Sequence, residues 1–291
     1  MTETRKSSVN IGGLSMAFVT AGTGDPIVFL HGNPTSSYLW RHVIPAAAGI
    51  GRCLAPDLIG MGDSDKLADG GPGSYTFATH RRMLDAWFEA VGATERVTLV
   101  VHDWGSGLGF DWARRHPHAV RGIAYMEALV GPVTWADMPG PAAEVFKALR
   151  SPAGEQMILE DNMFVEALLP AGVLTPLSPD VLDEYRRPFA QKGESRRPTL
   201  TWPRQIPIDG EPADVNLVVR EYSEWMTRND IPKLFVNANP GMILVGRQRE
   251  FCRTWRNQTE VTVPGLHFVQ EDSGPKIGEA LAGWLATIAD R

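Results

Sequence analysis

The 291-residue sequence predicts an α/β fold: a mostly parallel β-sheet with helices on both faces and a helical segment inserted into the chain. Three observations carry that expectation. Short β-branched or aliphatic runs alternate with longer segments of helical period, the order expected of a sheet covered by helices. The clearest helical segments each present one apolar face that a sheet could bury. The alternation stops once, for about 80 residues, which is too long for a loop of a compact domain and implies a segment with structure of its own.

Taken in chain order, the strand runs are Ser15–Thr20, Ile27–Leu30, Arg52–Ala55, Val97–Val101, Gly122–Met126, Lys233–Val236 and Glu260–Val263. Met83, Leu84, Trp87, Phe88 and Val91 recur at helical spacing, as do Ile277, Ala280, Leu281, Trp284, Leu285 and Ile288. From about Gly131 to Ala213 the chain is rich in Pro and helical fragments and carries no strand signal. The expected organisation is a core of residues 1–131 and 214–291 with a helical cap, 132–213, over the strand ends. Apolar cap residues Phe146, Phe164, Leu168, Leu169, Val173 and Ile206 would face the carboxyl edge of the sheet, where open α/β sheets place their ligands.

Bulk composition narrows the function. Hydrophobic residues make up 43% and charged residues 21%, the balance of an ordinary folded protein. A net charge of −6 without any block of like charges argues against nucleic acid or an acidic membrane surface as partner, so a small substrate is expected. Cys53 and Cys252 sit in apolar segments with no second Cys or His at ligand spacing, so both read as packing residues and no metal is expected. Met1–Asn10 lacks an apolar signal run, and no stretch approaches the roughly 18 consecutive apolar residues of a membrane span, which makes the cytoplasm the expected compartment.

The most informative stretch is Val97-Thr98-Leu99-Val100-Val101-His102-Asp103-Trp104-Gly105-Ser106-Gly107, an apolar strand that ends in an acid and turns at once into a glycine-rich helix start. That is the context of a nucleophile elbow, a sharp turn needing small residues near the nucleophile; Gly105 and Gly107 supply them, although Val101 stands where glycine is usual. The nucleophile slot holds Asp103, whose charged form a helix N-terminus favours by about 0.3–1 kcal/mol. Ser106 is a poor substitute, because it lies inside the helix start with Trp104 two positions before it. An aspartate here also fits a helix N-cap.

Three further features bear on that choice. His267, in Val263-Pro264-Gly265-Leu266-His267-Phe268, follows the last strand run and precedes the C-terminal helix, where a base could overhang the elbow. The usual place for an acid partner, after Lys233–Val236, reads Asn237-Ala238-Asn239-Pro240 and offers no carboxylate; Glu127 instead closes the run at Gly122–Met126, and a carboxylate there is costly to bury unless paired. Phe29-Leu30-His31-Gly32-Asn33-Pro34 enters a loop that could supply one backbone N–H of an oxyanion hole, Trp104 supplying the other. The Asn33 amide and Trp104 indole add side-chain N–H donors near Asp103. Taken singly, Asn33 also fits a turn residue and Trp104 a core aromatic.

These segments resemble the haloalkane dehalogenases over nearly the whole chain. The likeness is carried by His31-Gly32-Asn33-Pro34-Thr35-Ser36-Ser37-Tyr38-Leu39-Trp40, Asp57-Leu58-Ile59-Gly60-Met61-Gly62, His102-Asp103-Trp104-Gly105-Ser106 and Trp202-Pro203-Arg204-Gln205-Ile206-Pro207. It is greatest to members whose acid is a Glu after the sixth strand and whose halide is held by Asn and Trp. The resemblance implies an α/β-hydrolase fold with an eight-stranded sheet, no cofactor, Asp103, His267 and Glu127 as triad, and Asn33 with Trp104 as halide site. It further implies small halogenated hydrocarbons as substrates, a primary alcohol and chloride or bromide as products, and a monomer or weak homo-oligomer. Candidate pocket residues are Leu129, Phe146, Phe164, Leu168, Gly172, Pro203, Ile206 and Ile243; Gly172 stands where related members often carry a bulkier residue near the tunnel mouth.

Competing readings exist. An epoxide hydrolase shares the Asp nucleophile and the Asp-Trp pair but needs lid tyrosines to protonate the ring oxygen, and Tyr185 and Tyr222 are available by residue type. That family usually has an aromatic residue where Asn33 stands. A fluoroacetate-type dehalogenase would want an arginine where Trp104 stands. A non-catalytic hydrolase-fold receptor would leave both halide donors unexplained.

Overall fold

A computed structural model describes residues 4–138 and 140–289; the outer limits of the expected core, residues 1–3 and 290–291, lie outside the described residues, as does Pro139 in the expected cap. Eight strands form one sheet: β1 (Arg5–Ile11), β2 (Leu14–Ala21), β3 (Pro26–Leu30), β4 (Arg52–Pro56), β5 (Val97–Asp103), β6 (Val120–Ala128), β7 (Lys233–Pro240) and β8 (Gln258–Gly265). Their order is β1-β2-β4-β3-β5-β6-β7-β8. β2 pairs antiparallel with β1 and β4, and every later pairing is parallel. All seven expected runs lie within strands. The strand that the sequence reading omits is β1, an edge strand whose side chains are exposed or half-buried except for Ile11, so it has no apolar run to betray it.

The central strands are apolar throughout because both faces are covered. Val28, Leu30, Leu99, Val101, Ile123 and Tyr125 point into one hydrophobic layer, while Ile27, Phe29, Val100, Ala124 and Met126 alternate into the other. Eleven α-helices are present among the described residues: α1 (Ile44–Ala47), α2 (Phe77–Ala90), α3 (Trp104–Arg115), α4 (Gly140–Arg150), α5 (Ala153–Glu155), α6 (Leu169–Ala171), α7 (Pro179–Arg186), α8 (Arg197–Gln205), α9 (Ala213–Arg228), α10 (Gly246–Arg253) and α11 (Val269–Thr287). The stripe Met83, Leu84, Trp87 and Phe88 of α2 is buried, and Thr76 caps the helix by accepting the Thr79 N–H at 3.2 Å. On the opposite layer Ile277, Leu281, Trp284 and Leu285 of α11 are buried. Cys53 and Cys252 are free and buried, and burial pushes both thiols up to about 12.

The chain between β6 and α9 contains helices α4–α8 and two wide helical turns, at 156–160 and 164–168. Among the described residues its only β pairing is isolated bridges, one of which joins Val133 to Ile208 and so brings the two ends of the segment together. Phe164 and Leu168, expected to face the sheet, pack instead in a small cluster of the segment's own with Leu149, Ile158, Leu159 and Leu200. Leu169 and Val173 do join the main core. Irregular backbone leaves carbonyls without helical partners, and two arginines, buried Arg196 and half-buried Arg150, take them up. Arg196 donates to the carbonyls of Phe189, Leu159, Glu160 and Ala190, and Arg150 to those of Pro203, Arg204, Ile206 and Glu211. No helix of the described residues is long and apolar enough to cross a membrane.

Candidate active site

The elbow between β5 and α3 is built on close backbone approach. A Cβ on Gly105 would lie 2.2 Å from the Leu30 carbonyl oxygen, and one on Gly32 would lie 2.0 Å from Asp103 Oδ1, so only glycine lets these strands and loops meet. Asp103 itself has φ 49°, and Glu127, at the end of the adjacent strand, has φ 41°. Left-handed backbone at a non-glycine residue costs on the order of 1–3 kcal/mol and clusters at functional sites. The register of β5 against β6 shifts between His102 and Asp103, setting Asp103 opposite Ala128, next to Glu127.

Asp103 occupies the N-cap position of α3, but its side chain makes no capping bond. Its Oδ1 accepts the backbone N–H of Asn33 at 2.8 Å, leaving Oδ2 toward His267, whose Nε2 stands 3.6 Å away. On the other side of the ring, His267 Nδ1 lies 3.4 Å from Glu127 Oε2. The three expected residues therefore form one line, with the histidine between two carboxylates. Such distances are looser than a working proton relay, as is common before substrate tightens the site.

Glu127 Oε2 also accepts the N–H groups of Met242 (3.1 Å) and Ile243 (2.8 Å). These amides lie in the loop after β7, which carries no carboxylate of its own and instead supplies donors to Glu127. Arg249 ties the same loop down by donating to the carbonyls of Leu244, Ala238 and Pro240. Ile243 reaches the site through its backbone, its side chain being 39% exposed.

Electrostatics follow from this packing. Burial pushes the Asp103 carboxyl up, but His267, His102 and the backbone N–H of Trp104 more than offset it, so the acid is held below its ordinary range and ionised. Burial pulls His267 down, yet Asp103 and Glu127 together raise it to about 9, which makes it an imidazolium at neutral pH. Burial keeps His102 neutral, near 3. Its Nε2 lies 2.8 Å from the His267 carbonyl, which can only accept, so Nε2 carries the proton and pins the His267 backbone. Ser106 is committed elsewhere: its hydroxyl donates to the Asp103 carbonyl at 2.5 Å and accepts the Leu129 N–H at 2.9 Å.

Asn33 is 4% exposed, and its side-chain N–H donates to the Thr199 carbonyl at 3.3 Å. The Trp104 ring is buried and stacks at 4.5 Å on Trp202, which stacks at 4.2 Å on the neutral His80. Among the remaining candidates, Pro203 is buried within α8, Leu129 and Ile206 pack against the main core, and Phe146 is half-buried. Gly172 accepts the N–H of Phe268, the residue after His267, at 2.9 Å; a Cβ there would meet the Phe268 ring at 2.7 Å. Sequence reasoning missed His102, the Met242 and Ile243 amides, Arg249 and Thr199. The one visible signal was His102, a polar residue inside an apolar strand.

Comparison with known proteins identifies the family of the chain. The family model of the alpha/beta hydrolase fold matches residues 25–274. A haloalkane dehalogenase of Sphingobium indicum is 58% identical over 97% of this chain and 96% of its own length, and one of Mycolicibacterium smegmatis is 52% identical over 96% and 90%. Among solved structures, haloalkane dehalogenase DbeA from Bradyrhizobium elkani superposes with a TM-score of 0.93 at 39% identity, covering 99% of both chains. Haloalkane dehalogenase DatA from Agrobacterium tumefaciens gives 0.91 at 38%, covering 98% and 97%. A family model spanning most of the sheet, relatives above half identity over nearly the full length and a shared fold converge on one conclusion: the chain belongs to the haloalkane dehalogenase family of the α/β-hydrolase superfamily and is a hydrolase acting on carbon–halide bonds.

Proposed function

We propose that this dehalogenase works through a covalent alkyl ester on Asp103, which water activated by His267 and Glu127 then hydrolyses. The observation that carries the reading is the split between the two oxygens of Asp103: Oδ1 is held by the Asn33 backbone N–H, while Oδ2 faces His267 at 3.6 Å. Oδ2 attacks the halogen-bearing carbon in line, the carbon–halogen bond breaks with its electron pair, and halide departs toward the side-chain N–H groups of Asn33 and Trp104. Hydrogen bonds to a charged group contribute roughly 1.5–3 kcal/mol each, provided the donors are preorganised and dry. Among the described residues the Trp104 indole N–H has no protein acceptor, and Asn33 has only the long bond to Thr199 to surrender.

In the second step His267 Nε2 takes a proton from water, whose oxygen adds to the ester carbonyl carbon. Charge then develops on Oδ1, where the N–H groups of Asn33 and Trp104 receive it. Collapse breaks the Cγ–Oδ2 bond, the departing alkyl oxygen takes a proton from His267, and alcohol leaves while the new Asp103 carboxyl returns a proton to the histidine. Segment 132–213 acts as the cap that keeps water and substrate access under control, its two ends joined by the Val133–Ile208 bridge. The substrates this reading implies are small apolar haloalkanes, and the products are an alcohol, halide and a proton.

Both tyrosines that an epoxide-opening mechanism would require are otherwise engaged. Tyr185 donates to Glu271 at 2.5 Å and Tyr222 to the Leu129 carbonyl at 2.7 Å. The expected result is bromide release from 1,2-dibromoethane well above the buffer rate, with no diol from styrene oxide; the reverse pattern overturns the assignment.

The charge pattern makes a second expectation. Free enzyme holds His267 protonated up to about pH 9 because two carboxylates face it. Esterification removes the Asp103 charge, so the histidine falls back and sheds its proton before water is attacked. At a pH just below about 9, where the free enzyme still holds the proton and the ester, left with Glu127 alone, holds it less tightly, proton release should therefore appear with the ester rather than with the alcohol. Stopped-flow mixing with a pH indicator checks this. Proton release that tracks alcohol formation refutes it.

A further inference from the structure

We infer that Thr35 and His31 are positioning residues for the hydrolysis step, clamping the Gly32 carbonyl so that the adjoining Asn33 N–H is aimed at Asp103 Oδ1 and polarised for it. The inference rests on Asp103 being the residue that carries the ester.

Three donors converge on the oxygen of Gly32. They are the Thr35 backbone N–H at 3.0 Å, the Thr35 hydroxyl at 3.1 Å and His31 Nδ1 at 2.9 Å. A carbonyl oxygen has two lone pairs, so a third donor is more than its ordinary demand. The peptide between Gly32 and Asn33 is a rigid plane in which the C=O and N–H point in opposite directions. Whatever holds that oxygen therefore also fixes the direction of the N–H, which lies 2.8 Å from Asp103 Oδ1. Hydrogen bonds in series also polarise one another.

The clamp is itself braced. His31 is fully buried, and its Nε2 accepts the Leu58 N–H at 2.9 Å, so Nδ1 carries the proton that is donated to Gly32. Next to Leu58, Asp57 accepts the Ser37 N–H at 2.7 Å, so His31 and Ser37, the two ends of the 31–37 loop, are both tied to the turn after β4. Thr35 is 1% exposed, and among the described residues its hydroxyl donates to the Gly32 carbonyl alone.

The clamp must act differently on the two chemical steps. During alkylation Oδ1 loses negative charge as the carboxylate becomes an ester, so a strong Asn33 donor does not assist. During hydrolysis Oδ1 gains a full charge, so the same donor does. Weakening it should slow hydrolysis alone. Loss of a whole oxyanion donor costs about 10²- to 10³-fold and polarisation changes a hydrogen bond by about 10–30%, so weakening the Asn33 donor to that extent corresponds to about a two- to eightfold change in rate.

The test is Thr35→Val, which removes the hydroxyl and leaves shape and the two other donors in place, with Thr35→Ser as the rescue that restores it. Rapid-quench kinetics with 1,2-dibromoethane would resolve ester formation and ester loss. Expected for Thr35→Val are hydrolysis about two- to eightfold slower, alkylation not slowed, more ester at steady state, and kcat and KM falling together, with wild-type hydrolysis in Thr35→Ser. The inference is overturned if hydrolysis is unchanged, if both steps slow equally, or if Thr35→Ser behaves like Thr35→Val. His267→Gln treated in parallel separates the premise: no adduct on Asp103 there sinks the ester mechanism itself, whereas an adduct with unresponsive Thr35 variants sinks only the clamp.

Discussion

Replacing His267 by glutamine is expected to leave the enzyme alkylated on Asp103 and nearly without turnover. Alkylation asks only for Oδ2, the halide donors and an in-line carbon, none of which is the histidine. Hydrolysis asks for a base, and the neighbouring groups are poor ones: burial holds His102 near 3, and Ser106 is locked between Asp103 and Leu129. Loss of a general base costs roughly 10²- to 10⁴-fold, so steady-state halide release should fall by about that factor after a first turnover. Mass spectrometry of the variant treated with 1,2-dibromoethane should find one added bromoethyl group on the peptide containing Asp103. An unmodified Asp103 peptide, or an adduct on another residue, defeats the assignment of nucleophile and base together.

The second large effect concerns the leaving group. Asn33→Ala keeps the backbone N–H that faces Asp103 and deletes only the side-chain donor; Trp104→Phe keeps an aromatic ring against Trp202 and deletes only the indole N–H. Each change should slow alkylation by roughly ten- to a hundredfold, and the pair by about 10²- to 10⁴-fold, from about 1.5–3 kcal/mol per donor. No ester should accumulate in either variant, because hydrolysis remains fast. That is the opposite signature to His267→Gln. Single-turnover bromide release and ester trapping measure both, and an alkylation rate that survives the double change would remove Asn33 and Trp104 from the halide site.

Much of this was legible along the chain, for a local reason. A strand buried on both faces must be continuously apolar, so Val97–Val101 and Gly122–Met126 announce themselves. An acid followed by Trp-Gly-Ser-Gly marks a strand turning sharply into a helix, and a glutamate closing a buried strand marks a charge needing a partner. Asp103, Glu127 and His267 could thus be singled out before any contact was known, and their residue types point to a nucleophile, an acid and a base. Strand β1 escaped because an edge strand that buries only Ile11 leaves no hydrophobic pattern.

What remained for the tertiary structure was everything that depends on segments far apart in the chain. The Asn33 N–H meets an oxygen 70 positions away, the Met242 and Ile243 amides hold a carboxylate more than 110 positions back, and the Gly172 carbonyl holds the residue beside His267. The hydroxyls of Tyr185 and Tyr222, free to open an epoxide by residue type, prove to be engaged once the fold sets Glu271 and the Leu129 carbonyl beside them. Periodicity and turn chemistry specify how a few neighbouring residues bend and which face they bury. Which donor reaches which acceptor is decided by the packing of the sheet, its helices and the segment between β6 and β7, because a hydrogen bond tolerates only a few tenths of an ångström and no local rule measures that distance.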